Sequence, residues 1–270
     1  MIYFFSGTGN SSAVAHRLAT LTHDECADIA KPECISAKSG VETVLGFIFP
    51  VYAWGLPLFV SSFLRRHLSF LLKQCQKIHY VYAVFTCGGD IGYADKELRE
   101  VLASVNAEPL PLHAVWSVRM PNTYVCLPLF DADYGKTAKR KIAETASHLK
   151  YISSAIMQKR SETVVNRGAF PSLKSGALRT HFNQKLVTDR YFYVLMDRCV
   201  KCGRCVGNCP TQNIEMVPEK PYIKWKGTEC TGCLRCFHLC PENAIHFGSY
   251  TRNKHQHSMP SSLFNLLEED

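Results

Sequence analysis

Eight of the thirteen cysteines in this 270-residue chain fall between residues 199 and 240. They form two runs of identical spacing, Cys199, Cys202, Cys205 and Cys209 before Pro210, then Cys230, Cys233, Cys236 and Cys240 before Pro241. Three thiolates spaced by two residues each can wrap one corner of an iron–sulfur cubane. A structural zinc ion takes two separated pairs and has no use for the third cysteine or the trailing proline. Thiols clustered in this way point to metal ligation in a reducing compartment instead of a disulfide framework.

The other chemistry-bearing stretch lies at the opposite end, where Ser6-Gly7-Thr8-Gly9-Asn10-Ser11-Ser12 follows a short apolar run. A triphosphate-binding P-loop needs a lysine, and the first lysine here is Lys31. Gly7, Gly9 and Ser12 approach the dinucleotide pattern G-x-G-x-x-G but end on serine. What remains is a dense set of neutral donors with backbone N–H groups at a helix start, which suits one dianionic phosphate and hence a mononucleotide.

These residues need elements to hold them. Strand-like apolar runs at residues 1–5, 43–49, 79–85 and 109–118 alternate with helical patterns over 10–21, 57–72, 96–105 and 134–158, with a weaker strand near 26–35. Continuous apolar strands, each followed by a helix, predict an α/β fold: a doubly wound parallel sheet covered on both faces over residues 1–155. Residues 156–190 accumulate basic side chains and read as a linker or interface element, with Leu178, Phe182 and Leu186 at helical spacing. The cysteine segment occupies 191–247, and a polar tail with an acidic end runs over 248–270.

Ser6 to Ser12 after a first strand resembles the phosphate loop of flavodoxins, which bind FMN. "FPVYAWGLP" at 49–57 is similar to the loop over one flavin face, and "TCGGDIGYAD" at 86–95 to the loop along the other edge. The resemblance implies an FMN site with Ser6, Gly7, Thr8, Gly9, Asn10 and Ser11 at the phosphate. Pro50, Tyr52, Ala53, Trp54 and Gly55 would lie over one face, with Tyr52 or Trp54 stacked, and Thr86, Cys87, Gly88, Gly89 and Tyr93 along the other edge. It also implies that Gly55 frees the backbone beside the flavin, with Leu56 where many flavodoxins carry an acid. Residues 120–124, "MPNTY", are expected to close the pocket.

The cysteine segment resembles bacterial two-cluster ferredoxins, in which the fourth cysteine of each run serves the other cluster. Carried over, one cluster takes Cys199, Cys202, Cys205 and Cys240, and the other takes Cys230, Cys233, Cys236 and Cys209. The whole chain is similar to flavodoxin–ferredoxin fusion iron–sulfur flavoproteins: a flavodoxin-like domain joined to a smaller α+β ferredoxin domain, with FMN and two 4Fe-4S clusters. This implies an electron-transport protein or oxidoreductase that serves a redox protein donor or acceptor. Alternatives are an FMN-dependent reductase of a small-molecule acceptor and a redox- or oxygen-sensing module; no residue is assigned a catalytic role.

The formal charge of +8 would ordinarily suggest nucleic acid. Clusters and a flavin phosphate are negative and balance much of it, so no nucleic-acid partner is expected. Lys201, Arg204, Lys224, Lys226 and Arg235 beside the cysteines suit an acidic redox partner. Residues 44–64 lack acidic and basic side chains, yet Pro50, Gly55 and Pro57 divide them into strand, loop and helix start, so no membrane span is expected. The first residues do not read as a signal peptide, and a cytoplasmic location is expected. Cys26, Cys34, Cys75, Cys87 and Cys126 read as small core residues, with Cys87 singled out by its loop. His255 and His257 read as incidental.

Overall fold

Apolar runs bounded by glycine, proline or polar residues become the strands β1 (Ile2–Phe4), β2 (Cys26–Asp28), β3 (Glu42–Pro50), β4 (Lys77–Cys87) and β5 (Ala114–Arg119). A two-residue β6 (Thr163–Val164) follows them. The computed structural model describes residues 1–31, 34, 42–73, 75, 77–105, 109–227, 229–257 and 267. All six strands pair in parallel, in the order β2-β1-β3-β4-β5-β6. The helices α1 (Asn10–Thr22), α2 (Leu58–Lys73), α3 (Ala94–Ser104) and α4 (Gly135–Met157) connect them.

Alternate side chains of the strands feed two cores. Phe47, Phe49, Val81 and Phe85 meet Leu64 and Leu68 of α2 and Leu98 of α3, all buried. On the opposite face Ile2, Ile48, Tyr82 and Trp116 meet Leu18 of α1 and Ile142 and Leu149 of α4. Each large side chain buried this way contributes roughly 1.5–3 kcal/mol. The result is a doubly wound α/β sheet. Its strand order reverses between β1 and β3, which opens a crevice beyond their carboxyl ends.

The basic stretch read as a linker or interface element is firmly attached to this sheet. Thr163 and Val164 pair with Val115 and Trp116, and the Trp116 indole donates to Glu162 at 2.8 Å. Then α5 (Pro171–Leu173) passes through a π-helical turn at Lys174–Leu178 into α6 (Arg179–Lys185). Lys174 pairs with Asp90 at 2.8 Å, and Ser175 Oγ donates to Trp54 O at 2.8 Å. Buried Arg179 donates to Tyr52 O at 2.7 Å and Leu56 O at 2.6 Å. Charged and polar bonds make this attachment, which is why a search for apolar periodicity passes over it. Of the stripe Leu178, Phe182 and Leu186, Phe182 packs on Tyr124, with ring centroids 5.4 Å apart, whereas Leu178 is exposed.

The smaller unit consists of two antiparallel pairs, β7 (Phe192–Val194) with β10 (Ile245–Phe247) and β8 (Ile214–Met216) with β9 (Ile223–Trp225). Two one-turn helices complete it, α7 (Arg204–Gly207) and α8 (Arg235–His238). Its inner core is little more than Cys205, Ile214, Ile223 and Ile245, with Phe192 stacked on Trp225 at 5.4 Å. So small a core needs a staple, and the cysteines are placed to supply one.

Residues 44–64 are divided as expected among β3, a loop and α2, and no helix among the described residues is long and apolar enough to cross a membrane. Of the strand expected near 26–35, β2 accounts for 26–28, and residues 32–33 and 35 lie outside the described residues. The acidic end of the tail, residues 268–270, also lies outside them.

Candidate functional site

Each cysteine run begins in a loop and ends just beyond a one-turn helix, so α7 and α8 carry Cys205 and Cys236 inward. Cys199, Cys202, Cys205 and Cys240 line one small cavity; Cys209, Cys230, Cys233 and Cys236 line another. The two runs therefore interleave, each cavity borrowing its fourth thiol from the other run. Among the described residues no group of three or more metal-ligating side chains converges closely enough for a single ion.

Backbone N–H groups point at the sulfurs: Asn213 N to Cys209 Sγ at 3.3 Å, Gly232 N to Cys230 Sγ at 3.5 Å and Ala244 N to Cys240 Sγ at 3.2 Å. Such N–H···S bonds stabilise the negative charge of an iron–sulfur centre and set its potential. Burial pushes the Cys205 thiol up to about 11, the Cys230 thiol to about 12 and Cys236 well above the usual thiol range. Thiolates in such surroundings require metal cations as partners.

Beside the second thiol cavity lies a much larger one of about 420 Å³, at the carboxyl ends of β1, β3, β4 and β5. That size falls within the range of roughly 300–1,000 Å³ typical of small-molecule sites. Ser6, Gly7, Thr8, Asn10, Ser11, Pro50, Tyr52, Ala53, Trp54, Thr86, Cys87, Gly88 and Gly89 line it. Gly9 sits behind the lining as the N-cap of α1, with a φ of 101° that favours glycine, and its N–H donates to Ser6 Oγ at 3.0 Å. Ser11 Oγ pairs with Thr86 Oγ1 at 2.7 Å, and Asn10 Nδ2 donates to Pro121 O at 2.8 Å. Asn10 and Ser11 thus brace the loop. Thr8 lines the cavity, and its hydroxyl has no partner among the described residues.

Gly55 and Tyr93 stand outside the lining. The left-handed residues of the 52–55 turn are Ala53 and Trp54, with φ of 45° and 61°. Gly55 is required for space instead, since a Cβ there would approach the Arg179 guanidinium to within 2.2 Å. Leu56 is buried in the α2–α3 core and its N–H donates to Glu97 at 2.8 Å, so its side chain is not beside the cavity. Tyr93 is drawn onto the 171–178 segment, where its hydroxyl meets Ser172 at 3.1 Å and its N–H meets Ser175 at 2.8 Å. Cys87 lines the cavity, but burial pushes its thiol up to about 12 and it donates to Val118 O at 3.7 Å. It is an inert thiol in these surroundings.

Apart from Tyr124, which belongs to the stretch expected to close the pocket, sequence reasoning missed the far walls. Tyr124, Phe130 and Phe182 form an aromatic flank, Tyr124 lying 6.0 Å from Phe130 at a near-perpendicular 79°. Asp90 is a lining carboxylate, and it is neutralised by Lys174. No lysine or arginine is found among the described lining residues. "MPNTY" does border the cavity. The least foreseeable wall is Gly232-Cys233-Leu234 from the cysteine unit. The two units touch at Gly7, where a Cβ would come within 2.4 Å of Tyr52 Oη and 2.8 Å of Cys233 O. Only glycine lets the cysteine loop seat there.

The polar tail, whose His255 and His257 read as incidental, forms a clasp. His257 Nε2 meets Asn10 Oδ1 at 3.2 Å, and its backbone N–H donates to His238 Nδ1 at 3.0 Å. His238 Nε2 in turn meets Thr123 O at 2.8 Å, and burial holds this imidazole down to about 4, so it is neutral at pH 7. Gln256 donates to Phe237 O and Cys240 O, and His255 pairs with Asp131 at 2.9 Å while stacking on Tyr134. No periodic signal marks such a strap; each bond joins residues far apart in sequence.

Comparison with known proteins agrees with the geometry of the smaller unit. The 4Fe-4S dicluster domain family matches residues 193–247. A ferredoxin of Methanothermococcus thermolithotrophicus is 35% identical over 51 residues, 18% of this chain and 83% of the relative. Through residues 193–247 the chain belongs to the 4Fe-4S ferredoxins. This ferredoxin unit is thus an iron–sulfur electron-transfer domain. The ketoisovalerate oxidoreductase subunit VorC of Methanothermobacter marburgensis is 38% identical over 53 residues, 17% of this chain and 67% of the relative. An archaeal-type glutamate synthase (NADPH) of Dehalococcoides mccartyi is 32% identical over 68 residues, which is 25% of this chain but only 13% of that relative's length. No solved structure matches the chain significantly.

Proposed function

We propose that this chain passes electrons between two 4Fe-4S clusters and an FMN, and exchanges them with a redox protein. In this reading residues 1–155 form the FMN domain, 156–190 an interface element, 191–247 the two-cluster ferredoxin domain and 248–270 a tail. One cluster is held by Cys199, Cys202, Cys205 and Cys240, the other by Cys209, Cys230, Cys233 and Cys236. Bound FMN supplies the ability to accept one or two electrons where each cluster accepts one.

The single observation that carries the reading is Cys233. It is at once a thiol of the second cysteine cavity and a wall of the large cavity, packed on Gly7 and beside Tyr52. The FMN assignment is supported by the strand order, whose β1/β3 switch point is where doubly wound sheets of this kind hold a mononucleotide. It is further supported by a loop that offers N–H groups and the Thr8 hydroxyl to an anion. Asn10 and Ser11 brace that loop, Pro50 to Trp54 and Thr86 to Gly89 line the cavity, and the buried Cys87 adds apolar surface.

The test is rapid mixing of anaerobic protein with a one-electron reductant while cluster and flavin absorbance are followed separately. Purified protein should contain FMN and about eight iron atoms, and flavin should bleach only after the clusters. Flavin reduction at an unchanged rate in protein lacking the Cys233 cluster would remove the proposed route. A second reading, FMN-dependent reduction of a small organic acceptor, is favoured by the aromatic flank of Tyr124, Phe130 and Phe182. Turnover of a panel of small acceptors by the reduced protein would support it.

A further inference from the structure

We infer that Arg235 is a positioning residue for the flavin phosphate, coupling occupancy of the flavin site to the neighbouring cluster. The inference rests on the reading of residues 6–11 as a phosphate site.

Arg235 opens α8, between Leu234, which lines the large cavity, and Cys236, which lines a thiol cavity. Its guanidinium spends its donors on backbone carbonyls: those of Ser6, of Gly7 at 3.1 Å and of Asn208 at 3.0 Å. It makes no ion pair among the described residues, and its Cζ lies 5.9 Å from the Phe5 ring centroid. An arginine that answers no carboxylate and holds two successive carbonyls of one loop is not acting as a surface charge.

The consequence follows from the planar trans peptide, in which C=O and N–H point in opposite directions. Drawing the Ser6 and Gly7 carbonyls toward Arg235 turns the N–H groups of Gly7 and Thr8 away from it, and Ser6, Gly7 and Thr8 all line the cavity. The positive charge behind these two peptides also polarises them, strengthening both N–H groups as donors. This matters because no lysine or arginine is among the described residues lining the cavity. The countercharge for a dianion therefore acts through the loop. The same loop carries Gly7 against the Cys233 backbone, so displacement of the cysteine loop displaces the phosphate loop. By linkage, a ligand that tightens one tightens the other.

The experiment uses full-length, iron-replete protein freed of flavin and titrated with FMN and with riboflavin, following flavin fluorescence and measuring iron in every sample. In R235Q the FMN affinity should fall by about tenfold or more, while riboflavin affinity changes by less than about twofold. R235K keeps the charge but lacks the planar fork, and should fall between R235Q and wild type. If R235Q fails to load iron, R235K decides by the same ratio. An undiminished preference for FMN over riboflavin in the iron-replete variant would overturn the role of Arg235 alone. Equal affinity of the wild type for both ligands would overturn the phosphate site itself, and the inference with it.

Discussion

The two cysteine cavities and the large cavity beside them are built on opposite plans. Every thiol of the former comes from a stretch of 42 residues with a repeated spacing, and one-turn helices suffice to aim it. The large cavity is assembled from six separated stretches, beginning at Ser6 and ending at Leu234. Ligation is carried by a few strong bonds that a short segment can arrange. A non-covalent cradle needs many weak contacts from all sides, which only distant parts of the chain can supply. The cradle is consequently the more fragile of the two, and it depends on its neighbour at Gly7, Arg235 and His257.

The largest effect should come from breaking the interleaving of the thiols. Cys209→Ala should cost about half of the iron, roughly four atoms per chain. EPR of the reduced protein should show the cluster assigned to Cys230, Cys233 and Cys236 lost and the other kept. Loss of the opposite signal would mean that each run serves its own cluster. Next in size is Gly7→Ala, because the new methyl meets Cys233 O at 2.8 Å, a backbone atom that cannot swing aside. A destabilisation on the order of 2 kcal/mol is expected, read from anaerobic denaturant unfolding, together with weakened FMN binding.

Thr8→Ala tests the cradle without disturbing the seam. It should weaken FMN by about 1–2 kcal/mol through loss of a bond to a charged oxygen, and riboflavin titration should show little change. The smallest expected effect is in the clasp. Burial holds the His257 pKa below its ordinary value. As pH falls through about 6.5, the unfolded chain takes up this proton before the folded one. The stabilisation present above that pH is therefore lost on acidification. Buried His238 adds a slope of the same sign. Unfolding midpoints between about pH 7.5 and about pH 5.5 should fall, and less steeply in His257→Gln than in wild type.

The alternation of strands and helices through α4 was legible from periodicity, since each element owes its apolar face to neighbours a few residues away. The cysteine runs were legible for the same reason, and so was the loop after β1. Local composition misled where a residue's role is set by something remote. A Cβ at Gly55 would meet Arg179, 124 positions later, and Leu56 belongs to the core between α2 and α3. The basic stretch after α4 became an edge strand and a helix held by ion pairs, because its partners Asp90, Asp95 and Glu97 stand on the sheet domain.

By itself, then, the amino-acid order determined which side chains can ligate metal, which segments become strands and helices, and which loop gathers glycines and hydroxyls after the first strand. These depend on spacing of at most a few residues, and local geometry decides them. Only the tertiary structure decided that Cys233 faces the large cavity, that Arg235 grips Ser6 and Gly7 across 229 and 228 positions of chain, and that His257 closes over Asn10. A hydrogen bond forms between whichever donor and acceptor the packed cores bring together, and no periodicity along the chain records that meeting.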